Sequence, residues 1–531
     1  MAVNVRVGDR EQLYLMPPSV LDWLPEDHLA FFVLDVVAEL DLGEFYASHR
    51  EDGRGGAVYD PAMMLAVLLY AYSTGERSSR RVERRLVQDV AYRVLAANQT
   101  PDHATLARFR RRHQDAIAGL FAQVLGLCVR AGIVDAGLVA IDGTKMQADA
   151  SFFVNRTKEQ LAEEILAEAE EVDAEEDQQL GQRRGDELPA EWAGGRDRRS
   201  RIREALDEIE RQGSRDYEAR MKEREAKEAT SGRKLTGPKP SPNTARRQSP
   251  RRANTTDPHS RIISTGGRGV LQGYNAQAAA TVEQIVVAAE VTATTNDQTS
   301  FVPMAQAVIE NLTEAGVASV GTLVADAGYW SAANGTTDVG ADVLIATRKP
   351  SWRRAPKPDD DKLAVLARVN KGELSQRKAG EMLGVSYTWV RDMTKRYFGE
   401  DGQRMTRHAE PEPEEWIPVI EQLDRGDISR RAAADQLEVS WQRINSMLAH
   451  VRGEAVDPVI ARQTMDAKLA EEDNVARYRR RQHAIEPVFG NIKANLGYRR
   501  FVRRSIEAVN SEWRLICTTH NLLKLRQAPT G

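Results

Sequence analysis

Five short apolar runs, spaced by helical and polar segments, constrain the fold of this chain more than any other feature. The runs cover residues 139–141, 273–281, 285–294, 322–325 and 343–346. Runs of this length, bounded by turn residues and interleaved with helical patterns, are typical of strands in a mixed α/β core. Asp142 follows the first run and Asp326 the fourth. The pattern therefore predicts a carboxylate at the end of each of these two strands.

The region before the first run, residues 1–135, has helical periodicity and a basic character. Residues 78–94 are predicted to form one amphipathic helix, and residues 105–113 to begin another. Residues 77–112 hold ten Lys and Arg against three acidic residues. Such a basic helical region is compatible with binding a polyanion. The candidate DNA contacts that we select here are Arg80, Arg84, Arg108 and Arg111.

The net charge of −4 conceals a segregation of charge along the chain. Residues 477–504 hold nine basic residues and a single acid, Glu486, whereas residues 159–191 hold thirteen acids and two bases. The charged segment 155–260 interrupts the first part of the core, which we place at 136–350. We interpret this segment as a solvated helical hairpin, followed over 231–258 by a flexible basic linker rich in Pro and Ser.

A second interruption, residues 351–455, contains an internal repeat. Residues 374–393 and 428–447 are offset by 54 positions and share seven of twenty residues. Each copy is typical of a helix, a turn, a Ser N-cap and a second helix, which is the helix-turn-helix pattern of many DNA-binding proteins. Arg391 and Arg443 are the candidate DNA contacts. The alternative is a pair of helical packing modules. Residues 456–531 return to the core.

Other classes of protein are excluded by simple counts. The chain has two cysteines, Cys128 and Cys517, which suit a reducing cytoplasm better than a disulfide scaffold. Its longest apolar stretches are too short to span a bilayer, and its first residues lack the apolar core of a signal peptide. We therefore expect a cytoplasmic protein without a membrane segment.

The carboxylates alone leave their role open. Asp142, Asp326 and Glu486 are oxygen ligands of the kind that Mg²⁺ prefers, and paired ions can promote phosphodiester chemistry. A strand-terminal Asp is also a common turn or cap residue, and Glu486 has many arginines to pair with. Asp149 and Asp297 are rival carboxylates that we rank below these three.

Several ordered motifs resemble the bacterial insertion-sequence transposases of the DDE type. The motifs are IDGTKMQADAS at 141–151, GYNAQ at 273–277, VADAGYWS at 324–331 and RRRQHAIEPVFGNIK at 479–493. The N-terminal text agrees, as in LPEDHLAFFVLD at 24–35 and PDHATLARFRRRH at 101–113. The resemblance covers most of the chain except about 351–455. It implies a helical N-terminal domain and a ribonuclease H-like catalytic core.

The resemblance also implies a triad of Asp142, Asp326 and Glu486 that holds two Mg²⁺ ions, with Mn²⁺ as a substitute. The family has a Tyr and an Arg before the Glu and a Lys after it, here Tyr478, Arg481 and Lys493. Four residues separate Arg481 from Glu486 instead of three, which leaves the roles of Tyr478 and Arg481 open. Tyr478 and four basic residues of this segment are further candidate DNA contacts. The basic residues are Arg481, Lys493, Arg499 and Arg500.

By this resemblance the expected activity is cleavage and strand transfer at the terminal inverted repeats of the protein's own element. The partners are double-stranded DNA at the transposon ends and target, and a second copy of the chain, as a homodimer or larger assembly. The alternative is a catalytically inactive DNA-binding protein or regulator derived from a transposase. A nuclease that cuts without joining would need the same metal site.

Overall fold

The computed structural model describes a large part of the chain in detail. The described residues are 19–47, 58–161, 163, 195–231, 239, 252–265, 269–348, 360–397, 411, 413–454 and 456–528. They fall into two compact units, which we describe separately. The second unit consists of residues 346–464 with 228–234, and the first unit contains the rest. The predicted linker and the first hairpin helix lie mostly outside the described residues.

Helices make up the N-terminal part of the first unit, as the sequence predicts. They are α1 (Leu29–Glu39), α2 (Gly43–Ala47), α3 (Pro61–Ser73), α4 (Ser79–Gln88), α5 (Val90–Leu95), α6 (His103–Arg112) and α7 (Gln114–Arg130), preceded by a 3₁₀ turn at Val20–Trp23. Asp60 caps α3, with Pro61 at the first helical position. Helix α3 is buried on nearly all sides, which explains its uninterrupted apolar sequence.

The single helix predicted over residues 78–94 is wrong, because the structure has two helices there. Helix α4 ends and α5 begins at Asp89, whose extended backbone interrupts the helical hydrogen bonds. The Asp89 carboxylate accepts a hydrogen bond from the Ala91 N–H at 3.0 Å and so caps α5. Periodicity misses this break because Val82, Leu86 and Val94 still face the core on both sides of it.

A mixed six-stranded sheet forms the core of the first unit. Its strands are β1 (Leu138–Gln147), β4 (Arg261–Ser264), β5 (Val270–Thr281), β6 (Val286–Thr292), β7 (Thr322–Ala325) and β8 (Asp342–Ile345). The order is β4-β5-β1-β7-β8, and β6 also pairs with β5. Strand β5 pairs antiparallel with β1, β4 and β6, whereas β1, β7 and β8 are mutually parallel. This mixed sheet is consistent with the ribonuclease H-like core of a DDE protein.

The five predicted strands are present, and three further short strands were missed. These are β4 and the two-stranded pair β2 (Asn155–Thr157) and β3 (Arg252–Asn254). The end of the predicted linker is not a flexible segment. Asp257 is fully buried, and its carboxylate accepts the Tyr274 hydroxyl hydrogen bond at 2.7 Å. This contact could not be predicted from the polar, Pro-containing sequence, because the partner Tyr274 belongs to β5, a separate segment of the chain.

Six further described helices lie wholly or partly in the first unit. They are α8 (Gly195–Ser231), α9 (Phe301–Glu314), α10 (Ala332–Thr336), α17 (Pro458–Ala470), α18 (Glu472–Gly490) and α19 (Ile506–Gln527). Of these, α9, α10, α18 and α19 pack on strands of the sheet. A π-helical turn, Asn491–Asn495, continues α18. Helix α19 packs against α7, α3 and β6. The Tyr498 hydroxyl donates to the Tyr72 carbonyl at 2.7 Å, so the helical region and the sheet share one core.

Two three-helix repeats occupy the second unit. The first consists of α11 (Asp360–Asn370), α12 (Gln376–Leu383) and α13 (Tyr387–Tyr397), and the second of α14 (Pro413–Arg425), α15 (Arg430–Gln436) and α16 (Trp441–Val451). The predicted helix-turn-helix pairs are therefore present, each with one helix before it. None of the described helices in either unit combines the length and the hydropathy needed to cross a membrane.

Candidate active site

Asp142 lies within β1 and not at its end, which corrects the sequence-based expectation. The strand continues to Gln147 because its second half pairs with β5. The Asp142 side chain is 23% exposed and lies 3.1 Å from the Arg481 guanidinium. Burial raises the pKa of Asp142 to about 6; the charge of Arg481 opposes this rise, and that of Asp326 adds to it. The pKa of Asp142 therefore lies well above that of an ordinary Asp carboxyl.

Asp326 directly follows β7, as predicted. Ile141 and Ala325 are partners in the parallel ladder of β1 and β7, so the next residue of each strand is Asp142 and Asp326 respectively. The Asp326 carboxylate accepts the Gly328 N–H at 2.8 Å, which fixes the turn after the strand. The two carboxylates are thus brought to the same place by strand register alone.

Asp297 is a third carboxylate of this site. Its Oδ1 accepts hydrogen bonds from Asn275 at 2.6 Å and Gln277 at 3.1 Å, and it lies 3.3 Å from the Lys145 ammonium. A Cβ added at Gly328 would lie 2.9 Å from Asp326 Oδ1 and 3.5 Å from Asp297 Oδ2. Asp297 and Asp326 therefore face the same space. The Asp297 side chain does not cap the following helical turn, which was its expected alternative role.

Tyr329 is buried beside these carboxylates. Its ring is fully buried, and its hydroxyl hydrogen-bonds to the Gln277 amide oxygen. Burial raises the pKa of Tyr329 well above its ordinary value, and the charges of Asp142, Asp297 and Asp326 raise it further. All three carboxylates therefore act on one buried hydroxyl, which stays protonated.

Glu486 lies on α18, the helix that packs against β1, and its side chain is exposed. Arg481 of the same helix points to Asp142, whereas within the described residues Glu486 forms no hydrogen bond or ion pair. Five residues turn a helix by about 500°, which leaves Glu486 about 140° around the axis from Arg481. A spacing of four would leave only about 40°. The extra residue noticed in the sequence thus separates Arg481 and Glu486 onto different faces.

Tyr478 shares the buried face with Arg481. Burial raises the pKa of the Tyr478 hydroxyl, and the charge of Arg481 lowers it. Lys493, on the π-helical turn, donates to the Lys145 carbonyl at 2.8 Å and to the Thr144 hydroxyl. Both Lys493 and Arg481 therefore hold α18 and the π-helical turn against β1.

Two stretches of the chain match known families. Residues 18–112 match the family described as Transposase domain (DUF772), and residues 452–526 match the family described as Transposase DDE domain. The chain belongs to the insertion-sequence transposases. The second match covers α18 with Glu486 but not the strands that carry Asp142 and Asp326. No curated protein and no solved structure matches the chain.

A DDE domain implies transposase activity; transposases bind DNA, and those of the DDE type generally use a divalent metal ion. The donor chemistry fits such an ion, because Asp142 and Asp326 supply carboxylate oxygens. Asn275 Oδ1 and Arg481 Nε are buried beside them without a hydrogen-bond partner in the described part of the chain. Among the described residues, however, no three His, Cys, Asp or Glu side chains are arranged as a metal site.

The four N-terminal arginines predicted to contact DNA are all exposed on the transposase surface. Arg80 and Arg84 lie on α4, and Arg108 and Arg111 on α6, which packs against α4. None of the four forms a salt bridge with a described carboxylate. Their neighbours have internal roles: Arg81 and Arg85 pair with buried Glu76, and Arg110 donates to the Arg77 carbonyl at 2.9 Å.

The remaining arginines that were predicted to contact DNA differ in their exposure and in their partners. Arg500 pairs with Asp149 at 3.0 Å, which gives this rival carboxylate a structural partner away from Asp142. Arg499 is exposed, and its Nε donates to the Lys493 carbonyl at 3.1 Å. In the second unit Arg391 is exposed on α13. Arg443 is only 13% exposed and pairs with the fully buried Asp457, so the structure does not present it to solvent as the sequence suggested.

Sequence reasoning missed the polar group around Asp297 as a unit. Asn275 and Gln277 alternate along β5, and the ladder places them opposite Lys145 and Gly143 of β1. The motif GYNAQ contains this alternation, so the signal was present as two polar residues on one face of an otherwise apolar strand. The sequence could not show that Asp297 completes the group, because Asp297 reaches it from a later loop.

Proposed function

We propose that the protein is a DDE transposase that binds the terminal inverted repeats of its own element and catalyses metal-dependent strand cleavage and strand transfer. The observation that carries this proposal is the meeting of Asp142 and Asp326 at neighbouring strands, in a chain with two transposase family matches. Burial and the charge of Asp326 raise the pKa of Asp142 to about 6. Strongly shifted pKa values cluster at functional sites, which supports a catalytic role for this carboxyl.

In this proposal Asp142 and Asp326 would hold Mg²⁺, or Mn²⁺ in its place, with Glu486 as the third carboxylate of the triad. When bound there, a divalent ion would supply charge stabilisation for the phosphodiester and activation of the attacking oxygen. Arg481 neutralises Asp142 in the resting protein, and Lys145 does the same for Asp297. The buried side chains of Tyr329, Asn275 and Gln277 keep this polar site in a fixed arrangement.

The N-terminal helices, residues 1–135, are the proposed DNA-binding domain. The exposed arginines of α4 and α6 contact phosphates, which adds affinity and salt dependence more than sequence preference. The proposed core is 136–350 with 456–531. Joining two transposon ends requires at least two copies of the chain, and we expect the protein in the bacterial cytoplasm, at the nucleoid when bound to DNA.

A second candidate function is an inactive, DNA-binding transposase derivative. The observation in its favour is the exposed position of Glu486, about 140° around α18 from Arg481, the residue that contacts Asp142. An active enzyme must bring Glu486 to the two aspartates when DNA and metal bind. An inactive derivative has no such need, so cleavage separates the candidates.

The deciding experiment is Mg²⁺-dependent cleavage of a labelled duplex that carries the element's end, with DNA binding measured in parallel. We expect wild type to cleave and Asp326→Ala to bind without cleaving. Asp338→Ala is the matched control, because Asp338 is exposed in a loop of the same sheet and should cleave as wild type does. Glu486→Gln should lose cleavage if this residue completes the triad.

Binding without cleavage by wild type, with Mn²⁺ and paired ends also tried, would overturn the enzyme and leave the inactive derivative. Cleavage by Asp326→Ala at the wild-type rate would remove Asp326 from the site. Joined products in the same reactions separate a transposase from a nuclease, which would yield cut ends only.

A further inference from the structure

The two inserted repeats can be compared position by position, because they share one plan. Each has its own buried core, with Leu366 and Val390 in the first repeat and Ile420 and Ile444 in the second. Ser386 and Ser440 cap the second helix of each helix-turn-helix pair. The turns differ slightly, since the left-handed residue is Gly384 in the first repeat and Glu438 in the second.

The same face of the second helix is turned outward in both repeats. In the first repeat it begins with Tyr387, which is 53% exposed, and in the second with Trp441, which is 57% exposed. The other equivalent positions are Thr388 and Arg391, which are exposed, against Gln442, which is exposed, and Asn445, which is half-buried. In a helix-turn-helix, residues at the start of this helix reach base edges in the major groove. Only the first repeat places a cation among them.

The overall charge of the repeats differs in the same direction. Residues 360–397 hold eight Lys or Arg and five Asp or Glu, a net charge of +3. The equivalent residues 414–451 hold four and seven, a net charge of −3. The single Arg on the second helix of the second repeat is Arg443, which is committed to buried Asp457. Because DNA binding requires cations that face phosphates, the net charge of the first repeat favours DNA binding and that of the second opposes it.

We propose that the inserted unit reads duplex DNA through its first repeat, with Tyr387, Thr388 and Arg391 in the major groove, and that its second repeat contributes no comparable contact. This proposal rests on the proposed function only in taking the protein to act on DNA. Arg391 is suited to the bidentate contact with guanine that is the commonest specific contact in this groove.

The test uses the full-length protein and a duplex library with a randomised core, in buffer without a divalent metal ion. Duplexes enriched by wild type are then titrated by fluorescence anisotropy at several salt concentrations. We compare Arg391→Ala with Asn445→Ala, which alters the equivalent position of the second repeat. Arg391→Lys keeps the charge but not the planar bidentate group.

We expect Arg391→Ala to weaken binding to the enriched duplex about tenfold, and Asn445→Ala to remain within about twofold of wild type. An intermediate loss for Arg391→Lys would support base reading, whereas full rescue by Lys would show a phosphate contact and overturn the placement of Arg391 in the major groove. Unchanged binding by Arg391→Ala, or an equal or larger loss for Asn445→Ala, would overturn the proposal. Because no cleavage is measured, the result stands apart from that of the Asp326→Ala experiment.

Discussion

Gly143 lies where β1 comes closest to the polar group around Asp297. A Cβ added there would lie 2.4 Å from the Gln277 amide nitrogen and 3.0 Å from both Asn275 Oδ1 and Asp297 Oδ1. These atoms belong to side chains, so they can move without unfolding the strand. The space that glycine leaves free is therefore part of the site and not a requirement of the backbone.

We predict that Gly143→Ala lowers the rate of Mg²⁺-dependent cleavage by roughly tenfold or more, because it displaces side chains that position the site. Thermal unfolding should change little. Gly119→Ala is the matched control, since nothing lies within 4 Å of a Cβ added at that helical position. Equal cleavage by Gly143→Ala and wild type would show that the polar group does not affect the reaction.

At the scale of elements, the long helix α8 of the charged insertion is attached to the core and not simply solvated. Its Ile202, Ala205 and Ile209 pack with Leu161 and Ala253. The prediction of a helical hairpin in this segment included a helix but gave no partner for it. The partner is formed by the first and last segments of the insertion, before and after α8, which only the folded chain brings together.

Glu208 attaches the polar side of α8. It is 0% exposed, pairs with Arg211 at 3.0 Å, and also pairs with Arg261 of β4. Although burial raises the pKa of Glu208, hydrogen bonds and charges from Arg211 and Arg261 lower it more, and the net pKa lies below 4.5. The ionised carboxylate therefore links the insertion to the sheet.

We predict that Glu208→Gln lowers the free energy of unfolding by about 1.5–3 kcal/mol at neutral pH, as for hydrogen bonds to charged groups. A lowered carboxyl pKa stabilises the fold above its unfolded value of 4.5. The difference from wild type should therefore shrink as the pH falls below that value. Urea unfolding at several pH values measures both effects. Glu210→Gln, which alters the exposed pair with Lys158, should differ from wild type much less at each pH, because water screens an exposed pair.

At the scale of the whole molecule, the helical N-terminal region belongs to the same compact unit as the sheet. Gly75 illustrates this, because a Cβ there would lie 2.7 Å from the Leu496 carbonyl oxygen of the C-terminal segment. The inserted repeats instead form a unit with separate cores. Loss of one of those cores should therefore leave the first unit folded.

We predict that Trp416→Ala unfolds the second repeat selectively, because Trp416 is almost fully buried and its truncation costs about 3–5 kcal/mol. Hydrogen exchange should become fast in peptides from 413–451 and stay slow in peptides from β1 and β5. Trp441→Ala, at an exposed position, is the control and should leave exchange slow throughout. Faster exchange in β1 as well would mean that the two units fold together.

The strands with a buried apolar pattern, the helical N-terminal region, the repeats and the two aspartates could all be predicted from the sequence. Periodicity and local capping depend on neighbouring residues, which the sequence shows directly. Tertiary structure decided which carboxylates meet. Strand register joins Asp142 to Asp326, and a later loop brings Asp297 to Asn275 and Gln277. These contacts join residues far apart in the chain, so no local pattern specifies them.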